Sequence, residues 1–415
     1  MSSPPTFTAS QERWLLISLA AIQFTHIVDF MVMMPLGPQL TRLFSLSDAQ
    51  FGVLVSAYSL AAGASGLVAS LFVDRFERQR ALLVLYAGFA LATLACGLAP
   101  TYGSLMAARI LAGVFGGVLS AVVQTIVGDA IPFERRGQAM GVVMSSFSLA
   151  TVAGVPASLW VASRWGWHMP FIVIAAASAL VWAMAWRSVP RLSGHMNGPS
   201  NNAWQRLVAV VAEPNHWRAF GLSALLVSGS FAIIPYITIF TTTNLGLRQE
   251  QVPIIYLVGG VATFFTARLW GRLADRFGKV AVFRVISIVA VLPMLALTHL
   301  NSSSFVLLLL ATTAFFVFVS GRMVPGMALL TAAPAPALRG GFMSVSGAIQ
   351  SAAMGAASWL GGVMISRSPT GQVVGYEHTG WFALATTVVM VWWVGKLRLH
   401  TPPVAVAAAP APTSA

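Results

Sequence analysis

Charge is what this 415-residue chain has least of. Asp, Glu, Lys and Arg make up 8% of it, against about a quarter of a typical soluble domain. A water-facing surface of ordinary polarity cannot be built from so few charges. Acids are scarcest, 11 against 24 Lys and Arg. Cysteine is reduced to Cys96 alone, which excludes an internal disulfide and a cysteine-pair metal site. There is no Gly-Lys-Ser/Thr phosphate loop and no His-Glu-x-x-His, so ATP-driven pumping and zinc chemistry lack support, and no cofactor or metal is expected. Hydrophobic residues fill the space instead, 57% of the chain, with a mean hydropathy of +0.79.

The apolar residues are gathered into long runs. A hydrocarbon core about 30 Å thick needs about 20 apolar residues in helix. Twelve stretches qualify: 14–36, 50–72, 80–99, 103–128, 138–161, 168–186, 219–242, 252–271, 281–299, 304–330, 341–365 and 380–397. Continuous apolarity over such lengths excludes membrane-barrel strands, which alternate over about ten residues. The first run carries Asp29 and Pro35 and lacks a small-residue cleavage site, so it reads as a span and not as a signal peptide. The fold class expected is an all-α membrane protein.

Orientation follows from the basic residues. With the N-terminus in the cytoplasm, 18 of the 24 Lys and Arg fall in cytoplasmic segments, four in outer loops, and Arg109 and Arg322 inside spans. That bias sets both termini inside. It also accounts for the net charge of +13 without a nucleic-acid partner, because the charges cluster between apolar runs. A multi-pass protein of a bacterial inner membrane is expected.

The longest polar interruption, 187–218, separates six spans from six and reads as a linker, with residues 1–13 and 398–415 as cytoplasmic ends, the tail Ala/Pro-rich and disordered. The bundles are then 14–186 and 219–397. They repeat a signature. Ser70-Leu-Phe-Val-Asp74-Arg75-Phe-Glu77-Arg78 follows span 2, and Gly271-Arg-Leu-Ala-Asp275-Arg276-Phe-Gly278-Lys279 follows span 8. Arg136-Gly137 and Arg339-Gly340 open spans 5 and 11. Internal repeats of this kind build transporter folds, with the site between the halves.

Over about residues 1–400 the chain resembles the major facilitator superfamily. Gly271–Lys279 matches that family's motif between spans 2 and 3 in full, while the first copy has Ser70 and Glu77 where glycines are usual. Leu105-x-x-x-Arg109-x-x-x-Gly113 is similar to a second family motif. Gly154-Val155-Pro156 with Trp165–Phe171 partly matches the antiporter motif of drug and sugar efflux members. The resemblance implies two pseudo-symmetric six-helix bundles around a central cavity, alternating access, and a proton-coupled efflux transporter.

Asp29 is the one acid deep within a span, and an intramembrane ionisable group is a functional candidate by default. Arg109 lies six residues after Gly103, and Asp29 six residues before Pro35. Both are therefore about 9 Å deep from the outer side and form a candidate proton-coupling pair, with His26 one turn from Asp29. The alternative is a static ion pair that fixes helix register. Tyr58, Gln124, Tyr236, Arg322 and Gln350 are candidate cavity-lining polar residues, each also able to serve as interhelical glue. Asp74, Arg75, Arg78, Asp275, Arg276 and Lys279 form a candidate gate, their basic members pairing across the halves. Ser344, Gly347, Ser351, Gly355, Ser358 and Gly362 make a small-residue face on span 11, suited to close helix packing.

The function expected is export of a small organic compound by proton antiport. Uptake by symport, or facilitated diffusion, is the alternative within the same fold; a membrane enzyme or sensor is the alternative outside it. The partners expected are a small-molecule substrate, protons and the lipid bilayer, around a monomer.

Overall fold

The computed structural model describes residues 8–132, 135–192, 203–335 and 338–399. Twelve long helices dominate it: Ala9–Val32, Asp48–Ala69, Arg78–Gly97, Tyr102–Ala130, Arg136–Trp165, Met169–Ser188, Pro214–Thr243, Gln249–Phe277, Lys279–Thr298, Phe305–Ala332, Arg339–Met364 and Tyr376–Trp393. They are spans 1 to 12 below. The first ten are long and apolar enough to cross a membrane by length and composition. Span 11 is diluted by glycine and serine, and span 12 opens on Glu377 and His378. Thr8, Ser47 and Thr101 cap spans 1, 2 and 4 through reciprocal side-chain and backbone bonds, satisfying amides that the first helical turn leaves free.

Several details depart from the linear reading. Span 1 stops at Val32, and after a turn containing Pro35 the chain resumes as a short helix, Gly37–Leu43. The linker is not all coil: Ala203–Ala212 is an amphipathic helix whose Leu207 and Val210 pack on the second bundle. Residues 193–202 of the linker and 400–415 of the tail lie outside the described residues. The chain is not wholly helical either. Ser366–Arg367 and Val373–Val374 pair antiparallel in the loop between spans 11 and 12.

The two copies of the repeated signature turn by different means. At the second, span 8 runs to Phe277 and breaks at Gly278, whose φ of 88° is a left-handed conformation that glycine adopts without penalty. At the first, Val73–Arg75 forms a short 3-10 turn, and the Glu77 carboxylate caps the next helix by accepting from the Gln79, Arg80 and Leu192 amides. A capping acid replaces the glycine turn, which explains the departure from the motif at Glu77.

Spans 1–6 and 7–12 form two bundles. Both ends of the described chain lie on one face, the terminal face, where Glu12 pairs with Arg135 and Asn215 binds the Arg398 backbone. The opposite face is the distal face. One apolar cluster holds the distal ends of both bundles together, running from Val28, Leu36 and Phe51 to Tyr236, Ile239 and Tyr376. Toward the terminal face it divides. Leu19, Tyr86 and Val127 belong to a core of the first bundle, and Phe220, Leu329 and Phe342 to a core of the second. The halves thus share one cluster at the distal face and have separate cores toward the terminal one, with Leu67 of span 2 still packed on the second. Span 8 follows the same pattern: it packs on Ala150–Trp165, the distal half of span 5, and barely on the terminal half.

Spans 2 and 11 make the most extensive contact between the halves, and small residues make it possible. A Cβ at Gly355 would stand 3.1 Å from the Ser56 carbonyl, one at Gly63 2.9 Å from the Ala348 carbonyl, and one at Gly362 2.7 Å from the Asp48 carbonyl. These distances leave no room for a larger residue.

Candidate functional site

Four helices of the first bundle direct side chains to one point. Span 1 supplies His26, Asp29 and Phe30, one face of a helix by their three- and four-residue spacing. Span 2 supplies Tyr58, span 3 Phe89, Thr93 and Cys96, and span 4 Arg109, Gly113 and Gly116. Arg109 Nη1 donates to Asp29 Oδ2 at 2.9 Å and lies 3.4 Å from the Asp29 backbone carbonyl. Asp29 is 0% and Arg109 1% exposed. The guanidinium lies 4.4 Å from the Tyr58 ring centroid, a cation held against an aromatic face.

Glycines make the approach possible. A Cβ at Gly113 would strike the Tyr58 carbonyl, and one at Gly116 would lie 2.6 Å from His26 Nε2 and 2.5 Å from Tyr58 Oη. The His26 ring centroid is 6.2 Å from that of Tyr58 and 5.6 Å from that of Phe89.

The pair is under-satisfied. Arg109 Nε, Tyr58 Oη and both His26 nitrogens are buried without a hydrogen-bond partner, and Thr93 of span 3 also acts on the Asp29 carboxylate. Buried polar groups are nearly always paired, and a cluster of exceptions calls for an explanation such as a functional role. Chemically the group offers one carboxylate able to take a proton, one permanent cation that stabilises that carboxylate once the proton leaves, and several vacant donors and acceptors.

The other candidates are placed differently. Tyr236 is buried on span 7 and donates to the Ser358 carbonyl at 2.6 Å; it closes the seam between spans 2 and 11 instead of lining a cavity. Arg322, expected to face the cavity, is 1% exposed and turned toward Ser230 of span 7 and Thr387 of span 12, inside the second bundle. Gln124 is exposed on the terminal half of span 4. Gln350 is half-buried with an unpartnered Nε2.

In the repeated loops, Arg78 pairs with Asp129 of its own bundle at 2.9 Å, not across the halves. Arg75, Asp275, Arg276 and Lys279 are exposed; the Asp74 side chain lies outside the described residues. Among the described residues no ion pair of this gate set bridges the halves, in keeping with their separate terminal cores.

Sequence reasoning missed a bidentate ion pair on the distal face. Arg367 Nε and Nη2 donate to the two Asp48 carboxylate oxygens at 2.7 and 2.8 Å. Asp48 opens span 2 and Arg367 stands on the small hairpin, so the pair ties one half to the other. Asn244, at the end of span 7, clamps that hairpin through both the amide and the carbonyl of Val373. Gln23, which accepts from Ser120 at 3.1 Å, was also missed; it lies three residues before His26, the spacing that could have found it.

Residues 19–355 match the family model described as Major Facilitator Superfamily. The chain belongs to the Major Facilitator Superfamily. It is 22% identical over 388 residues to the MFS-type transporter YtbD of Bacillus subtilis, spanning 92% of this chain and 95% of that one. It is 25% identical over 264 residues to a chloramphenicol efflux pump of Mycobacterium tuberculosis, covering 64% of this chain and 63% of the pump. Its fold matches the crystal structure of a D-xylose-proton symporter with a TM-score of 0.75 at 17% identity, covering 94% of this chain and 98% of that one. The protein is therefore a multi-pass membrane transporter and not an enzyme, and a small-molecule substrate is consistent with that family.

Proposed function

We propose that this transporter exports a small organic compound in exchange for protons, with its terminal face in the cytoplasm of a bacterial inner membrane. The buried Asp29–Arg109 pair carries the reading. With Asp29 ionised, the pair is closed and the shared distal cluster seals the site from the far side. Protonating Asp29 removes the charge that Arg109 is bound to. Breaking a buried pair by removing one partner costs about 3–5 kcal/mol, enough to favour a different arrangement of spans 1 and 4. A proton entering from outside and leaving toward the terminal face alternates these two states. One proton crossing 100 mV supplies about 2.3 kcal/mol, which supports more than tenfold accumulation. The excess of Lys and Arg on the terminal face supports the orientation, and the relative named as an efflux pump supports the direction.

The test is transport in proteoliposomes under an imposed pH gradient, with chloramphenicol as the first probe of a panel of small organic compounds. Antiport requires substrate and proton to move in opposite directions. Asp29→Asn is expected to abolish uphill movement while sparing binding. Asp29→Asn with Arg109→Gln serves as a control without an uncompensated cation. Co-directional movement would assign symport, and full uphill transport by Asp29→Asn would move coupling elsewhere, first to His26.

A further inference from the structure

Arg322 sits ten residues from the terminal end of span 10, about 15 Å into the helix, and is 1% exposed. An arginine stays charged in any protein environment, and an uncompensated charge in a membrane is costly. Yet among the described residues no carboxylate forms an ion pair with it. Its contacts are two hydroxyls. Nη2 donates to Ser230 Oγ and Nη1 to Thr387 Oγ1, the latter at 3.4 Å. Nε has no partner.

The hydrogens decide the chemistry. Each hydroxyl has one proton to donate. Each accepts one bond from the guanidinium, and neither is a donor in any hydrogen bond among the described residues. Other hydroxyls in these spans return their protons to a backbone carbonyl, as Ser228 does to Ala224 and Thr386 to Ala383. Ser230 and Thr387 are 3% and 2% exposed, so bulk water does not satisfy them. Three groups from three helices converge with unspent donors, a full positive charge and no acceptor.

We infer that Arg322, Ser230 and Thr387 form a binding site for a small monovalent anion within the second bundle, separate from the Asp29–Arg109 site. The anion supplies the missing counter-charge and accepts from Nε and both hydroxyls. It ties span 10 to spans 7 and 12, fixing the second bundle as a rigid unit while the halves rock. Two sources share this chemistry: a free halide from solution, and the carboxylate of a small organic acid.

The experiment follows thermal unfolding of the purified full chain in detergent at constant ionic strength, with the bulky sulfonate salt sodium HEPES replaced stepwise by chloride in one arm and by acetate in the other. The expected result is a saturable rise in unfolding temperature in at least one arm, abolished in Arg322→Gln. A response to chloride assigns a halide; a response to acetate alone assigns a carboxylate. Should Arg322→Gln fail to fold, Ser230→Ala and Thr387→Val decide, each weakening the apparent affinity about tenfold or more through one lost hydrogen bond to a charged group. Identical unfolding of the native chain in all three salts overturns the inference, as does an undiminished response in the variants. The readout uses neither substrate nor proton gradient, so it stands or falls apart from the export reading.

Discussion

The ion pair between Asp48 and Arg367 should act as a latch on the distal face, and its strength can be bounded. Two charge-assisted bonds of 2.7 and 2.8 Å join the halves. The Asp48 side chain is 2% exposed and that of Arg367 36%. A fully exposed pair contributes about 0–1 kcal/mol, and breaking a fully buried one costs about 3–5 kcal/mol. A pair buried on one side lies between, at about 2 kcal/mol, or roughly 30-fold in an equilibrium constant. Asp48 also begins a helix, where a carboxylate gains from the dipole. That gain belongs to span 2 itself and is present whether the halves are together or apart, so it cancels. Asp48→Asn should therefore shift the opening equilibrium by roughly 10- to 30-fold, taking the distally open population from about 1% to about 10–20% if the native value is 1%.

Ser358 reports this change. It is 0% exposed under the seam, and Cys96, the one native thiol, is buried. In a Ser358→Cys background, labelling by a membrane-impermeant maleimide added from the distal side should accelerate about 10- to 20-fold with Asp48→Asn and similarly with Arg367→Gln. The two changes together should add nothing, because each alone already breaks the same contact. Acceleration below about twofold in both single variants would refute the latch, and fully additive effects would show that each residue acts on something else.

Two further outcomes follow from the packing. Gly113→Ala places a methyl against the Tyr58 carbonyl and should cost about 1–3 kcal/mol by overpacking; a lowered unfolding temperature with loss of transport checks it, and an unchanged value of both counts against the tight contact of spans 2 and 4. Asn244→Ala removes both bonds to Val373, leaving a buried amide and carbonyl to find other partners at about 1–3 kcal/mol. Amide exchange across residues 366–374 should then speed up tenfold or more, and labelling of Ser358→Cys should rise as it does without the latch.

The helices were legible because the bilayer imposes a length that few other structures share. Each expected run lies within six residues of a helix end. Spans 11 and 12 were recovered although their hydropathy is weaker, since their polar residues are small or confined to one end. The Asp29–Arg109 pair was legible from depth alone: two charges at one level inside a membrane have few other partners. What the sequence hid were contacts without a local signal. Asp48 and Arg367 are 319 residues apart and each looks like an ordinary loop charge. The partners of Arg322 are hydroxyls, whose pattern along a helix does not announce a cation's neighbour. The helix Ala203–Ala212 was lost in a stretch whose polar half, 193–202, set the reading for the whole linker.

The breaks in spans 5 and 7 join these observations to movement. Span 5 widens into a π turn at Ala150–Gly154, just before Pro156, and span 7 tightens into a 3-10 turn at Ile234–Tyr236 around Pro235. Proline removes the backbone donor that a regular helix needs, so both sites have lost regular winding. Both also touch the opposite half. A Cβ at Gly260 of span 8 would lie 2.8 Å from the Thr151 carbonyl in the π turn, and the Tyr236 hydroxyl occupies the space against Gly52 of span 2. Each seam thus sets irregular backbone on one side against glycine on the other. Rewinding such a turn costs fewer hydrogen bonds than bending a regular helix, and a glycine surface presents no side chain to interlock. The terminal halves of spans 5 and 7 stay anchored in the separate cores of their own bundles. The distal seam can therefore open by motion at these two turns while each bundle keeps its packing, and the Asp48–Arg367 pair and the distal apolar cluster are the contacts that oppose it.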